Sequence, residues 1–170
     1  MTKRRQIFNI GIALVIALVF YLVKYPFANS DGKTKKVGIT DREGLRQGLW
    51  KVYDENGELV SEKNYLNDTL HGVAKAYFDN GKLYTHVHYM NGHFVDTFYH
   101  YFKNGNLNHI GFYDSTGKSQ GEFKVFYESG QLKQIGYKLD GQFHGQLTEF
   151  NIAGDTVRSD FYSKGIKESR

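Results

Sequence analysis

Histidine is the residue type with the most chemical reach in this 170-residue chain: His86 and His88 stand two apart in LYTHVHY, and His100 and His109 follow. On a β-strand, residues i and i+2 share a face, so His86 and His88 could turn two imidazoles toward one zinc ion. Two nitrogens are not a site. No Asp or Glu recurs at a fixed offset from the pair, and His71 and His144 occupy a repeated position just ahead of a glycine. The expectation is therefore no metal and no cofactor. With no cysteine, the chain has no thiol nucleophile, no Cys-ligated zinc and no disulfide framework. GKS at 117–119 lacks the spacing of a phosphate-binding loop. No Ser, His and acid set and no paired carboxylates stand out, so the expectation is a protein that is not an enzyme and has no catalytic residue.

The charge of +4 hints at nucleic acid until it is divided along the chain. Residues 1–36 hold seven basic side chains against Asp31, a balance of +6, and residues 37–170 balance at −2. The basic character belongs to the N-terminal segment, so the rest offers phosphate no net attraction and nucleic acid is not an expected partner.

That segment has its own logic. After the basic tail 1–6, with Lys3, Arg4 and Arg5, comes IFNIGIALVIALVFYLV at 7–23, strongly polar only at Asn9. As a helix it would reach ~26 Å, the lower limit for crossing a bilayer. A cleavage site after Ala28 would put Pro26 where a small residue is wanted, which favours an uncleaved signal anchor. The three basic residues and the free amine favour an N-terminus inside the cytoplasm and the remainder outside, as in a single-pass inner-membrane protein with a periplasmic domain. Residues 24–36 then read as a polar linker.

The elements that must position any site are written as a repeat. Units begin at Gly48, Gly72, Asp96, Gly121 and Gly145, at spacings of 24, 24, 25 and 24 residues. Five positions on stand Tyr53, Tyr77, Tyr101, Phe126 and Phe150, and nine positions on stand Gly57, Gly81, Gly105, Gly130 and Gly154. An aromatic returns near each unit's end at Tyr65, Tyr89, Tyr113, Tyr137 and Tyr162, with the fourth copy one position early. Asn56-Gly57, Asn80-Gly81, Asn104-Gly105 and Ser129-Gly130 lie between strand-like runs and read as hairpin turns. A second turn falls at each unit boundary, where Gly44, Gly92, Gly117, Gly141 and Gly165 recur and Asp68 takes the place once. The extra residue of the third unit falls in the loop 114–117, where it costs little.

One hairpin is marginal alone, so successive hairpins must pair edge to edge. The predicted fold is all-β: an elongated, single-layer antiparallel sheet of five hairpin repeats over 37–170, preceded by one transmembrane helix. Ten full strands at ~4.8 Å would extend about 50 Å. Residues 37–47 supply half a unit at one end, and GIKESR opens the next boundary at the other.

A unit of the form G-x-W-x-x-Y-x-x-N-G-x-L, closed by an aromatic and a glycine loop, resembles the MORN repeat, and in particular the variant frequent in bacterial proteins, many of them labelled antitoxin-like. The resemblance covers residues 37–170. Trp50 keeps the Trp of the pattern, whereas Ala74, Phe98, Phe123 and Leu147 replace it and Asp96 replaces one opening glycine. It implies a sheet that serves protein contact or membrane proximity, with no catalytic residue to carry over.

The candidate binding residues form an aromatic ladder: Tyr53, Tyr77, Tyr101, Phe126 and Phe150, flanked by Trp50, Phe98 and Phe123. Such rings could hold an extended peptide, a glycan or the edge of a partner, or serve only as the core. The expected function is a non-catalytic, membrane-tethered scaffold that binds another protein in the cell envelope. The alternatives are an antitoxin-like protein masking a toxin and a membrane-lipid-binding module.

Overall fold

Runs such as LYTHVHYM and LKQIGYKL, rich in β-branched and aromatic residues and broken by Asn-Gly, Asp-Gly or Ser-Gly, can satisfy their backbone groups only by pairing with one another. In the computed structural model, which describes residues 34–169, they do so in sequence order. The chain forms β1 (Lys35–Thr40), β2 (Arg46–Tyr53), β3 (Leu59–Leu66), β4 (Thr69–Tyr77), β5 (Leu83–Met90), β6 (His93–Tyr101) and β7 (Leu107–Tyr113). It continues with β8 (Ser119–Phe126), β9 (Leu132–Leu139), β10 (Gln142–Phe143), β11 (Gly145–Phe150), β12 (Thr156–Ser163) and β13 (Ile166–Lys167). All thirteen belong to one open antiparallel sheet whose order follows the sequence from β1 to β9 and on through β11, β12 and β13, with β10 pairing with β9 off that path. The described residues include no helix, and thus none long and apolar enough to cross a membrane. The expected helix 7–23 and the tail before it lie outside the described residues.

Three strands lie beyond the ten expected. β1 comes from the half unit, β13 from the closing residues, and β10 is the start of one opening strand interrupted at His144, whose N–H donates to the Tyr137 carbonyl (3.0 Å). β1 also begins earlier than the expected boundary at 37: Lys35 and Lys36, read as linker, pair with Tyr53 and Val52.

Two turn types alternate. At the first, a three-residue loop closes between Asp54 and Glu58, with Asp54 N–H donating to the Glu58 carbonyl (3.0 Å) and Gly57 at φ +83°. Gly81, Gly105, Gly130 and Gly154 repeat that conformation at +74°, +99°, +98° and +92°, in the left-handed region that glycine enters without strain. The Asn before the glycine does a different job from the one its turn propensity suggests. Asn80 Oδ1 accepts the Lys82 N–H (3.1 Å), and its amide donates to the Lys103 carbonyl (3.0 Å) in the next unit. Asn104 repeats both bonds, to Asn106 N–H and to the Glu128 carbonyl, so this column staples neighbouring loops together.

The second type is a two-residue turn with both residues at positive φ: Asn67-Asp68, Asn91-Gly92, Asp140-Gly141 and Lys164-Gly165. The long third unit replaces it with a loop from Asp114 to Lys118, where Asp114 Oδ1 accepts the N–H groups of Thr116 and Lys118. The insertion is absorbed there and pairing continues at Tyr113↔Ser119.

Register divides the side chains between two faces. One, the packed face, carries Trp50, Ala74, Phe98, Phe123 and Leu147 from the opening strands, with Tyr65, Tyr89, Tyr113 and Tyr162 from the closing strands. Ala74, Ala76, Val87, Tyr89, Phe98, Tyr113, Phe123 and Leu147 are its buried core. Large rings lie over glycines of the adjoining strand: a Cβ on Gly111 would meet Phe98 at 2.6 Å, one on Gly136 would meet Phe123 at 2.8 Å, and one on Gly38 would run into the Trp50 ring. Glycine is required at those positions for close approach rather than for its φ.

Candidate functional site

The eight ladder residues do not form one surface. Trp50, Phe98 and Phe123 stand three positions before Tyr53, Tyr101 and Phe126, and an odd offset along a strand reverses the face. Phe98 and Phe123 are buried on the packed face. Phe98 meets Tyr113 tilted at 5.2 Å and His109 edge-on at 4.9 Å, and Phe123 meets Phe143 at 5.7 Å. Trp50 packs at 6.5 Å from Tyr65, and its indole N–H donates to the Ile39 carbonyl (3.1 Å), which ties β1 to the sheet. These three rings are packing residues.

Tyr53, Tyr77, Tyr101, Phe126 and Phe150 belong by pleat alternation to the opposite face, where all five are half-buried. Tyr77 marks that face directly: its hydroxyl donates to Glu62 Oε2 (2.7 Å), whose other oxygen faces Lys51 Nζ (3.1 Å). Burial, with the Glu62 carboxylate beside it, pushes the Tyr77 phenol up to about 12. Burial also pushes the Glu62 carboxyl up, but the bonds from Tyr77 and Lys51 outweigh it and hold that group below the usual carboxylate range. A donor–acceptor chain thus ties Tyr77 of the second unit to Glu62 and Lys51 of the first.

The histidines separate in the same way. His100 and His109 face each other directly across β6 and β7 on the packed face. His100 is buried among Phe98 and Tyr84, and His109 lies between Phe98 and Phe123. Burial lowers the His100 pKa to about 4, and burial, with the His100 and Lys138 charges, lowers His109 to about 3. Both imidazoles are neutral at neutral pH. His86 and His88 are on the opposite face, with ring centroids 5.8 Å apart, beside Tyr99 at 6.0 Å and with Asp96 Oδ2 3.8 Å from His88 Nδ1. No group of three His, Cys, Asp or Glu among the described residues is arranged to hold a metal.

The sequence reading passed over a second aromatic row. Leu49↔Asn64, Val73↔His88, Thr97↔Phe112, Glu122↔Tyr137 and Gln146↔Phe161 are equivalent pairs in the five units, on the face away from the core. Three members of that column are aromatic and exposed: Phe112, Tyr137 and Phe161, at 40%, 43% and 37%. The signal was present as the doublets Phe112-Tyr113 and Phe161-Tyr162, one ring for each face, and as the early fourth aromatic. Tyr137 is early because it occupies the outer column, and Lys138 takes the inner place, pairing with Gly121 and holding its ammonium 5.7 Å from the Phe123 ring.

Comparison with known proteins places the repeat without naming a partner. No curated protein matches the chain. Among solved structures, it resembles the crystal structure of TarM at 11% identity and a TM-score of 0.42, covering 71% of this chain and 22% of that one. An S. aureus TarM mutant in complex with fondaparinux, alpha-GlcNAc-glycerol and UDP gives 11% and 0.43, covering 75% and 23%. The GtfA/B complex bound to UDP and GlcNAc gives 11% and 0.29, covering 81% and 26%. The chain spans about a quarter of each of these proteins, and likeness this loose carries no argument about activity. The hairpins at 46–67, 70–91 and 119–137, which are β2–β3, β4–β5 and β8–β9, match the family described as MORN repeat variant; this chain therefore carries MORN-variant repeats within a longer array of hairpins.

Proposed function

We propose that the protein is a non-catalytic scaffold, tethered to the inner membrane through residues 7–23, which offers its repeat sheet to another protein on the periplasmic side. The observation that carries this reading is the open outer edge of β12. There the Phe161 carbonyl is met by the Glu168 N–H (2.8 Å), and β13 pairs only with Tyr162 and Ser163. Backbone N–H and C=O of a strand residue point the same way and alternate sides, so Ser159 also aims outward, past the end of β13 and before the bulge at Val157 breaks the alternation. An unpaired strand edge of this kind is a template for a strand from another chain.

The test uses proline, which removes an outward N–H and leaves the inward ladder to β11 intact. A photo-crosslinking residue at Val157 of the full chain, in cells that make it, is expected to give a discrete protein adduct that Ser159→Pro reduces severalfold. An adduct that Ser159→Pro leaves unchanged, or no adduct at any position along β12, contradicts an edge-mediated scaffold.

A further inference from the structure

The face away from the core, not the edge, carries the row Phe112, Tyr137 and Phe161. Each ring is on a closing strand, β7, β9 and β12, and one opening strand intervenes between successive rings. Two strand spacings put successive rings about 9.6 Å apart across the sheet, and strand twist turns each by roughly 45° from the last; register also staggers them along the strands, Phe112 standing opposite Gln120 and Tyr137 opposite Glu122. Polar side chains on the same face fill the gaps. Between Phe112 and Tyr137 lie Gln120, which pairs with Phe112, and Glu122, which pairs with Tyr137 and whose carboxylate is taken by Lys124 (2.7 Å). Between Tyr137 and Phe161 lies Gln146, whose amide donates to Ser159 Oγ (2.8 Å), with Thr148 Oγ1 3.3 Å from the same hydroxyl. Thr97 flanks the row beside Phe112.

Charge decides between ligands that stack on rings. A nucleic acid needs cations along its backbone, and here the Lys124 ammonium beside the row is taken by Glu122. A ligand suited to separated flat rings with amides and hydroxyls between them has flat, weakly polar faces at regular intervals and many hydroxyl groups. A β-1,4-linked hexose chain meets that description: pyranose rings present C–H faces that stack on aromatic rings, and the chain is extended enough to run from one ring to the next. From this geometry we infer that Phe112, Tyr137 and Phe161 form a binding row for an extended, uncharged β-linked glycan, with Gln146, Ser159, Thr148 and Thr97 as hydrogen-bonding partners. This goes beyond the scaffold reading and does not rest on it, since the row is on a face and the scaffold contact is an edge.

The experiment titrates the full chain, held in a sugar-free detergent, with a hexasaccharide of β-1,4-linked N-acetylglucosamine, followed by calorimetry. Saturable binding is expected, weakened roughly three- to tenfold by Phe112→Ala and by Tyr137→Ala, and retained in Tyr137→Phe, which keeps the ring. Both positions are exposed, so melting temperatures should not move, and any variant that melts early is replaced by Phe112→Gln or Tyr137→Gln. The proposal is overturned by absence of saturable binding, by equal binding of an α-linked glucose hexasaccharide, or by indifference to both ring substitutions. It is also overturned if the ring variants abolish a crosslinked protein adduct while the sugar does not bind; the row would then be a protein interface, and the edge reading would stand or fall on its own test.

Discussion

His100 and His109 occupy the middle of the packed face, opposite one another, with Phe98, Phe123, Tyr84, Thr85 and Val125 around them and the Lys138 ammonium as the nearby charge. Their folded pKa values, about 4 and about 3, are below the ordinary 6.5, so the unfolded chain takes up these protons first. Their contribution to stability is complete above pH 6.5 and is lost as pH falls toward the folded values. Linkage predicts a loss of about 3–4 kcal/mol between pH 7 and pH 5 from the two together. Urea unfolding of the wild type and of the His100→Gln, His109→Gln double variant checks it: the variant is expected to have a flatter pH dependence by about that amount, whatever its stability at pH 7. Parallel pH profiles would show that the pair does not titrate with folding. At this scale the sequence was informative about residue type and less so about surroundings. The parity that separates Trp50 from Tyr53 can be counted along the chain. That Gly111 lies beneath Phe98 depends on the register between strands, which a bulge at His100/Tyr101 shifts.

Turns and bulges carry the strain of the repeat units. The residue that opens each unit is in the left-handed region throughout, with Gly48 at φ +60°, Gly72 at +95°, Gly121 at +79° and Gly145 at +73°. Asp96 adopts the same conformation at +66° with a side chain attached, and its Oδ1 accepts the Thr97 N–H (2.6 Å). A non-glycine residue there costs about 1 kcal/mol, offset in part by that bond and by the greater freedom of glycine in the unfolded chain. Asp96→Gly is therefore expected to raise stability by about 0.5 kcal/mol, read as a higher urea midpoint at unchanged slope. A clear loss would mean that Asp96 holds the bulge through contacts that outweigh its strain. The repeat columns made the hairpins legible, because Gly57 and its counterparts recur where backbone sterics demand them. The assignment of turn types was not legible. Asn-Gly occurs both in three-residue loops, at Asn80-Gly81, and in a two-residue turn, at Asn91-Gly92, and only the pairing of the flanking strands distinguishes them. The split at His144 was likewise invisible, since a single bulge leaves no mark on composition.

The sheet of the described residues is a linear array in which each strand meets the one on either side of it, with β10 paired to β9 off that path, so its stability is a sum over adjacent pairs. Such an array offers surface in proportion to its length. Period and turn columns made that architecture legible, whereas the partner is encoded in surface residues that obey no periodic rule. The central claim, a repeat scaffold tethered by 7–23 and facing away from the cytoplasm, has one direct test, made possible by the absence of cysteine. Ser169→Cys places a single thiol at an exposed position just after β13. Intact cells expressing the full chain are treated with a membrane-impermeant thiol reagent, and the labelled protein is sized on a gel. The account predicts labelling of intact cells at the full-length mass; labelling that appears only after lysis would put the repeats in the cytoplasm and contradict it.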